Sequence, residues 1–426
     1  MRGFAQSAIT ISLAAALLGG CGSQLLVGRP GAMPQTSTIA AGTSNTNYKI
    51  VYNFGGGRDG ASPRAGLIYV GGTLYGTTVA GGDAFYCSYY YGCGTVFSIT
   101  PGGTEKVLHV FGSGSDGENP RAGLIDVGGT LYGTTTYGGS NACDPYYANC
   151  GTVFSITPSG AEKVLHSFSG PPNDGTHPVA GLIRIKGTLY GTTARGGLRE
   201  CYYPGYSGET CGTVFSITTT GAKGVLHNFT GSPDGEFPRA GLVEVKGTLY
   251  GTTSTGGKHG YGTVFSITPG GKEKVLHSFA AGSDGRNPDA GLVELKGKLY
   301  GTTFAGGPYT CSPYNGCGTV FSVTLGGKEK VLHSFGAGSD GTNPDAGLIE
   351  LKGKLYGTTT SGGAVCGGGC GTVFSITPSG AEKVLHSYAF EGGSPYAGLI
   401  DVKGTLYGTT SEGGANGYGT VFSLKP

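Results

Sequence analysis

The sequence contains no tryptophan and few charges: Asp, Glu, Lys and Arg make up 13% of its 426 residues, about half the usual share. With a net charge of +2 and no run of like charges, it has no electrostatic footprint for nucleic acid or an anionic membrane surface. No apolar run reaches the roughly 20 residues that a membrane-spanning helix needs. Helical patterning is missing too, since beyond residue 48 no segment keeps 3.6-periodic apolar spacing for ten or twelve residues. The absence of tryptophan weighs modestly against a glycan surface.

Glycine and tyrosine are abundant instead. The chain has 88 glycines, 21 prolines and 26 tyrosines. Glycine and proline at this level suggest disorder when no period is present. A period is present here, so the glycines read as turns and close backbone contacts.

The N-terminus has the form of an export signal. Arg2 precedes an apolar stretch from Ala8 to Leu18, then Gly19-Gly20-Cys21. A short apolar core ending in small residues is a secretory pattern. Leu18-Gly19-Gly20-Cys21 resembles the bacterial lipobox, which predicts cleavage after residue 20 and a lipid on Cys21. Lipid chains supply about 0.8 kcal/mol per buried methylene, so two or more anchor stably. Residues 21–47, rich in Ser, Thr, Gly, Pro and Gln, read as the lipidated cysteine and a flexible tether. The expected location is extracytoplasmic, on an outer membrane or cell surface.

From residue 48 onward the chain repeats. Leu-Tyr-Gly-Thr-Thr begins at Leu74, Leu131, Leu189, Leu249, Leu299, Leu355 and Leu406, and Gly-Thr-Val-Phe-Ser at Gly94, Gly151, Gly212, Gly262, Gly318, Gly371 and Gly419. Each unit reads as four short strands bounded by Gly, Pro, Asp or Ser. A repeated four-stranded antiparallel sheet of this period predicts an all-β, seven-bladed propeller over residues 48–426. The small Gly-Thr-Thr residues are expected near the crowded axis.

Closure follows from a permutation. Lys49–Phe54 matches a fourth strand, whereas the last unit stops after its third, at Phe422-Ser423-Leu424. The N-terminal strand therefore completes the last blade and leaves only short outer edges. An open solenoid, the rival, would want atypical capping repeats.

Beyond Cys21, ten cysteines pair within single loops between the second and third strands: Cys87/Cys93, Cys143/Cys150, Cys201/Cys211, Cys311/Cys317 and Cys366/Cys370. In an exported chain such pairs predict disulfides. Each is worth roughly 2–2.5 kcal/mol by loop-closure entropy for a seven-residue loop. Metal binding is the alternative, but two thiols per blade supply no four-ligand site. Units four and seven place Tyr261 and Tyr418 at the second cysteine position.

The full pattern is Leu-Tyr-Gly-Thr-Thr, two glycines, a variable loop, Gly-Thr-Val-Phe, Leu-His-x-Phe, then Asp-Gly-x-x-Pro-x-Ala-Gly-Leu. It resembles the GloVer tandem repeat of bacterial "choice-of-anchor" surface proteins. The resemblance implies an extracytoplasmic, propeller-like array and no particular activity. Relatives share a C-terminal sorting segment; this chain ends at Lys425-Pro426 without one, consistent with anchoring through the lipobox.

No nucleophile with a base, and no spaced acid–base pair, emerges from the pattern. His109, His166, His227, His277, His333 and His386 fall on the fourth strand and read as packing residues, too far apart to share one metal. Asp59, Asp116, Asp174, Asp234, Asp284 and Asp340 precede glycine in the link to the next unit, a turn signal. Unit seven has Glu391-Gly392 instead. The alternative for these acids is an acidic ring around the channel mouth holding Ca²⁺; otherwise no cofactor is expected. Arg195, Glu412, His177 and His259 break the repeat. The cystine loops and Asp-Gly links share one face, which also collects Tyr89, Tyr147, Tyr203 and Tyr314. Aromatic loops on a rigid scaffold suit recognition of a protein or glycan partner, or the tyrosines cover their own disulfides. The sequence thus points to a monomeric, membrane-anchored binding scaffold, with a propeller glycosidase or lyase as the alternative.

Overall fold

The computed structural model describes residues 47–82, 87, 92–112, 114–141, 150–198, 201, 210–311, 316–336, 339–364 and 370–426. Cys21 and its leader lie outside them. The first strand, β1 (Tyr48–Asn53), is followed by blade one: β2 (Ile68–Val70), β3 (Thr73–Thr78), β4 (Thr95–Ile99) and β5 (Glu105–Val110). These four are hydrogen-bonded in chain order, each pair antiparallel. Blades two to six repeat the arrangement. The seventh joins Ile400–Val402, Thr405–Thr410 and Thr420–Leu424 to β1, with Tyr48 opposite Leu424 and Asn53 opposite Thr420. The fold is a closed seven-bladed propeller.

Local sequence explains the strand ends. Lys186-Gly187 joins the first two strands of blade three with φ of 46° and 91°, the two left-handed residues that a tight hairpin of matching twist needs.

The repeated motifs bond each blade to the next. The first threonine of Leu-Tyr-Gly-Thr-Thr donates across the junction, Thr77 to the Ala122 carbonyl at 3.2 Å and Thr134 to Ala180 at 3.2 Å. Thr409 donates to Ala65 at 3.3 Å, which repeats the bond where the ring closes. The second threonine pairs within its blade, as Thr78 with Thr95 at 2.9 Å. The aromatic residue ending Leu-His-x-Phe packs edge-on against the next blade's third-strand phenylalanine: Phe111 on Phe154 at 5.2 Å, and Tyr388 on Phe422 at 5.7 Å. Phe54, Phe97, Phe111 and Phe154 are wholly buried, each worth about 1.5–3 kcal/mol of apolar burial.

Gly-Thr-Thr is not the axial element. A Cβ on Gly76 would lie 2.6 Å from the Phe97 ring, so this glycine makes room for an aromatic side chain within the blade. The axis is crowded by the glycine of Pro-x-Ala-Gly-Leu. A Cβ on Gly123 would sit 2.9 Å from the Gly66 carbonyl oxygen, and one on Gly66 would sit 3.4 Å from that of Gly398. Seven backbones meet there, and the closing contact resembles the rest.

Candidate functional site

Above this glycine ring lies a cavity of about 500 Å³. Its wall is the variable residue of the seven Pro-x-Ala-Gly-Leu copies, in blade order Arg64, Arg121, Val179, Arg239, Asp289, Asp345 and Tyr396, each followed by its Ala-Gly. Thr136, Tyr137, His177, Ala194 and Arg195 complete it. Tyr137 and Arg195 stand just past the second strands of blades two and three, where the cystine loops begin. The cavity therefore opens on the face of those loops.

Its charge is segregated. Arg64, Arg121 and Arg239 come from blades one, two and four, and the two aspartates from blades five and six. The Arg64 guanidinium lies over the Tyr396 ring, 4.8 Å from its centroid, a cation–π contact. The Arg64 Nε is buried with no hydrogen-bond partner. Burial pushes the Asp345 carboxyl well above the usual carboxylate range, and Asp289 adds to this against the opposing charges of Arg239 and Arg64. Burial raises Asp289 as well, while Arg239 and a hydrogen bond from the Ser254 hydroxyl oppose it.

His177 sits at a strained position. Its φ is 56°, matched by Asn119 (55°), Asn287 (56°) and Asn343 (58°) at the same place in other blades. Asparagine tolerates this region best; there its amide donates to the end of a strand, as Asn119 does to the Val79 carbonyl at 2.7 Å. His177 instead lines the cavity, with Nδ1 2.8 Å from the Thr176 hydroxyl and its ring edge-on to Tyr137. Burial drives its imidazole down to about 3, with Arg195 and Arg121 pushing the same way. It is neutral at physiological pH and unsuited to act as a general acid.

The aspartates of the Asp-Gly links lie elsewhere. Asp116 accepts from the Gly112 N–H at 2.7 Å, and Asp284 from the Ala280 N–H at 2.7 Å. They do not form an acidic ring at the channel mouth. None of the six lines the cavity, because each is tied to the outer strand of its own blade. His109 meets Asp116 at 3.1 Å, His166 meets Asp174 at 2.9 Å, His227 meets Asp234 at 3.0 Å, His277 meets Asp284 at 3.2 Å and His333 meets Asp340 at 3.3 Å. Tyr52 replaces the histidine beside Asp59 and donates to it at 3.0 Å. Glu391 replaces the aspartate beside His386, at 3.3 Å. The histidines also pack, His109 edge-on to Phe111 at 4.8 Å, so they serve packing and pairing together.

The sequence matches the Gloeobacter/Verrucomicrobia repeat over residues 29–202, 85–314 and 310–426. The chain belongs to this family. No curated protein sequence matches it. Among solved structures, a puromycin-hydrolyzing peptidase of Mycobacterium tuberculosis is similar over 87% of this chain and 53% of that one, with TM-score 0.50 and 11% identity. A gluconolactonase of Xanthomonas campestris is similar over 89% of each chain, with TM-score 0.44 and 12% identity. At such identities the likeness is one of fold alone.

In this Gloeobacter/Verrucomicrobia repeat protein three cystines lie within the described residues: Cys87–Cys93, Cys201–Cys211 and Cys311–Cys317, with Cα atoms 5.2–5.3 Å apart. Cys150 and Cys370 are also disulfide-bonded; their expected partners, Cys143 and Cys366, lie outside those residues. So do Tyr89, Tyr147, Tyr203 and Tyr314. On the same face Tyr309 is 54% and Tyr418 47% exposed. Of the repeat-breaking residues, the structure brings His177 and Arg195 together at the cavity, and leaves Glu412 and His259 outside its wall. Glu412 is 3.4 Å from the Ser394 hydroxyl. The axial ring was missed in the sequence, although the signal was present: x is the one position of Pro-x-Ala-Gly-Leu that changes.

Proposed function

We propose that the protein is an extracytoplasmic binding protein, held to a membrane by lipid on Cys21, and that its axial cavity takes the carboxylate-bearing end of a glycan. The observation that carries this reading is the Pro-x-Ala-Gly-Leu ring. The Pro, Ala, Gly and Leu around x are the same in all seven blades, yet x supplies Arg64, Arg121, Arg239, Asp289 and Asp345 to one cavity. Burying charge is costly unless it is paired, so packing alone gives no reason for these residues. Guanidinium groups match carboxylates in a two-pronged geometry. Asp289 and Asp345 on the opposite wall would accept sugar hydroxyls. A volume near 500 Å³ is in the range of small-ligand sites.

The test is a glycan array probed with the protein, comparing uronate- or sialate-ended chains with neutral ones. Binding to acidic ends, reduced at least tenfold in Arg121→Ala with an unchanged melting temperature, supports the reading. Equal binding of neutral chains, or none, rejects it. A second reading is favoured by the two buried carboxyls, Asp289 and Asp345, both raised by burial: a pair of carboxyls in one cavity is the equipment of a glycosidase or lyase. Turnover of such a glycan, lost in Asp345→Asn, would replace binding by catalysis.

A further inference from the structure

The outer rim carries a second chemistry, at the junctions between blades. The His109–Asp116 pair of blade one faces Glu162, which opens the fourth strand of blade two. One ligand atom from each of the three lies within 4.8 Å of the others. The same trio recurs as His227, Asp234 and Glu273, and as His277, Asp284 and Glu329. At the sixth blade Glu382 stands in the same place, within electrostatic reach of Asp340 and His333.

The glutamates are poorly served as they stand. Oε1 of Glu162, Glu273, Glu329 and Glu382 is buried and has no hydrogen-bond partner. Burial, then the Asp116 charge, pushes Glu162 up to about 7. A buried acceptor without a donor is costly, and here the cost recurs at junction after junction.

The chain contains its own control. Where blade two meets blade three, Lys223 occupies the glutamate position. Its ammonium reaches into the junction and pairs with Asp174, which also meets His166. One junction thus holds a cation as a side chain, in the place where four others present two carboxylates and an imidazole.

We infer that the His–Asp–Glu junctions are divalent metal sites, fitted to a transition ion such as Zn²⁺. Three atoms no more than 4.8 Å apart share a point within about 2.8 Å of each, so shifts of under an ångström reach the roughly 2.0–2.2 Å of Zn–N and Zn–O bonds. The imidazole disfavours Ca²⁺, which takes oxygen ligands. His109 and Asp116 side chains are 20% and 26% exposed, which gives the ion a way in and leaves coordination positions for water. An ion held between blades bonds one to the next.

Tag-free protein, stripped with chelator and titrated with ZnCl₂, tests this by the zinc retained per chain. About four ions are expected, one for each trio, bound more tightly as pH rises because binding displaces protons. Glu162→Gln should lower the count by one with its circular dichroism unchanged; no loss in this variant overturns the proposal. Lys223→Glu should raise the count by one, and without that gain Lys223 is no stand-in for an ion. Retention of calcium in place of zinc overturns the choice of metal.

Discussion

Tyr48 stacks on His386, ring centroids 3.9 Å apart and planes 6° from parallel. Tyr48 opens the strand that completes blade seven, and His386 lies on the outer strand of blade six. The contact stands where other junctions place a glutamate against a His–Asp pair. Burial, and then the nearby Glu391 charge, raises the Tyr48 hydroxyl above its ordinary range. The first strand thus supplies both a sheet edge and half of a blade junction.

Deleting residues 48–54 should accordingly remove the pairing with Thr420–Leu424 and the wholly buried Phe54. Phe54→Ala alone should cost about 3–5 kcal/mol. The larger deletion should lower the melting temperature by more than about 10 °C or abolish the transition. Calorimetry on a chain lacking 22–46 gives the comparison. Equal melting of the two truncations would count against closure through the first strand.

At the axis, Gly123→Ala places a methyl 2.9 Å from the Gly66 carbonyl oxygen. Seven backbones share that ring and none can retreat alone, so a loss of roughly 1–3 kcal/mol is expected. Gly224→Ala, on an outer strand with its nearest neighbour 3.6 Å away, should leave stability unchanged within about 0.5 kcal/mol. Denaturant unfolding of both variants measures the difference.

Asp174 gives a pH signature. Burial alone would raise its carboxyl, but hydrogen bonds from His166 and Lys223 and the Lys223 charge hold it down to about 2. A depressed carboxyl stabilises the fold above its unfolded pKa near 4 and loses that contribution as pH falls toward 2. In Lys223→Ala, Asp174 stays buried without its cation, at a cost of about 3–5 kcal/mol at pH 7. Unfolding curves of the variant and the parent should converge as pH drops from 4 to 2. A constant difference across that range would show that the effect is not the Asp174 charge.

Cys21→Ser should release the protein from membranes or leave its leader uncleaved. Fractionation of expressing cells, with mass spectrometry of the N-terminus, reads both outcomes. Unchanged membrane association of the variant would rule out a lipid on Cys21.

Much of the fold was legible because the repeat is stringent. Leu74 and Gly94 and their copies fix the second and third strands, and the match of Lys49–Phe54 to a fourth strand reveals the closure. The axial site was not legible for a reason rooted in geometry. Residues facing the axis converge on one shared cavity, so Arg64, Val179 and Asp345 differ while the Pro, Ala, Gly and Leu around them are constant. In one dimension this resembles free variation. The His–Asp pairs were within reach, since His109 and Asp116, like His277 and Asp284, lie seven residues apart. Reading the histidines as packing and the aspartates as turns kept apart two halves of one interaction. The blade-two glutamate that joins them comes from the next repeat, a contact that only the ring creates.

The permuted closure also brings the two ends of the propeller together. Outer strands begin beside the short turns and end at the Asp-Gly links, so Tyr48 and its partner Leu424 lie at the end of blade seven remote from the cavity. Lys425 N–H donates to the Asn47 carbonyl at 3.0 Å, so the chain enters and leaves the domain at one corner. A change at either terminus of the domain therefore acts on that one corner, on the side of blade seven away from the arginine-lined mouth.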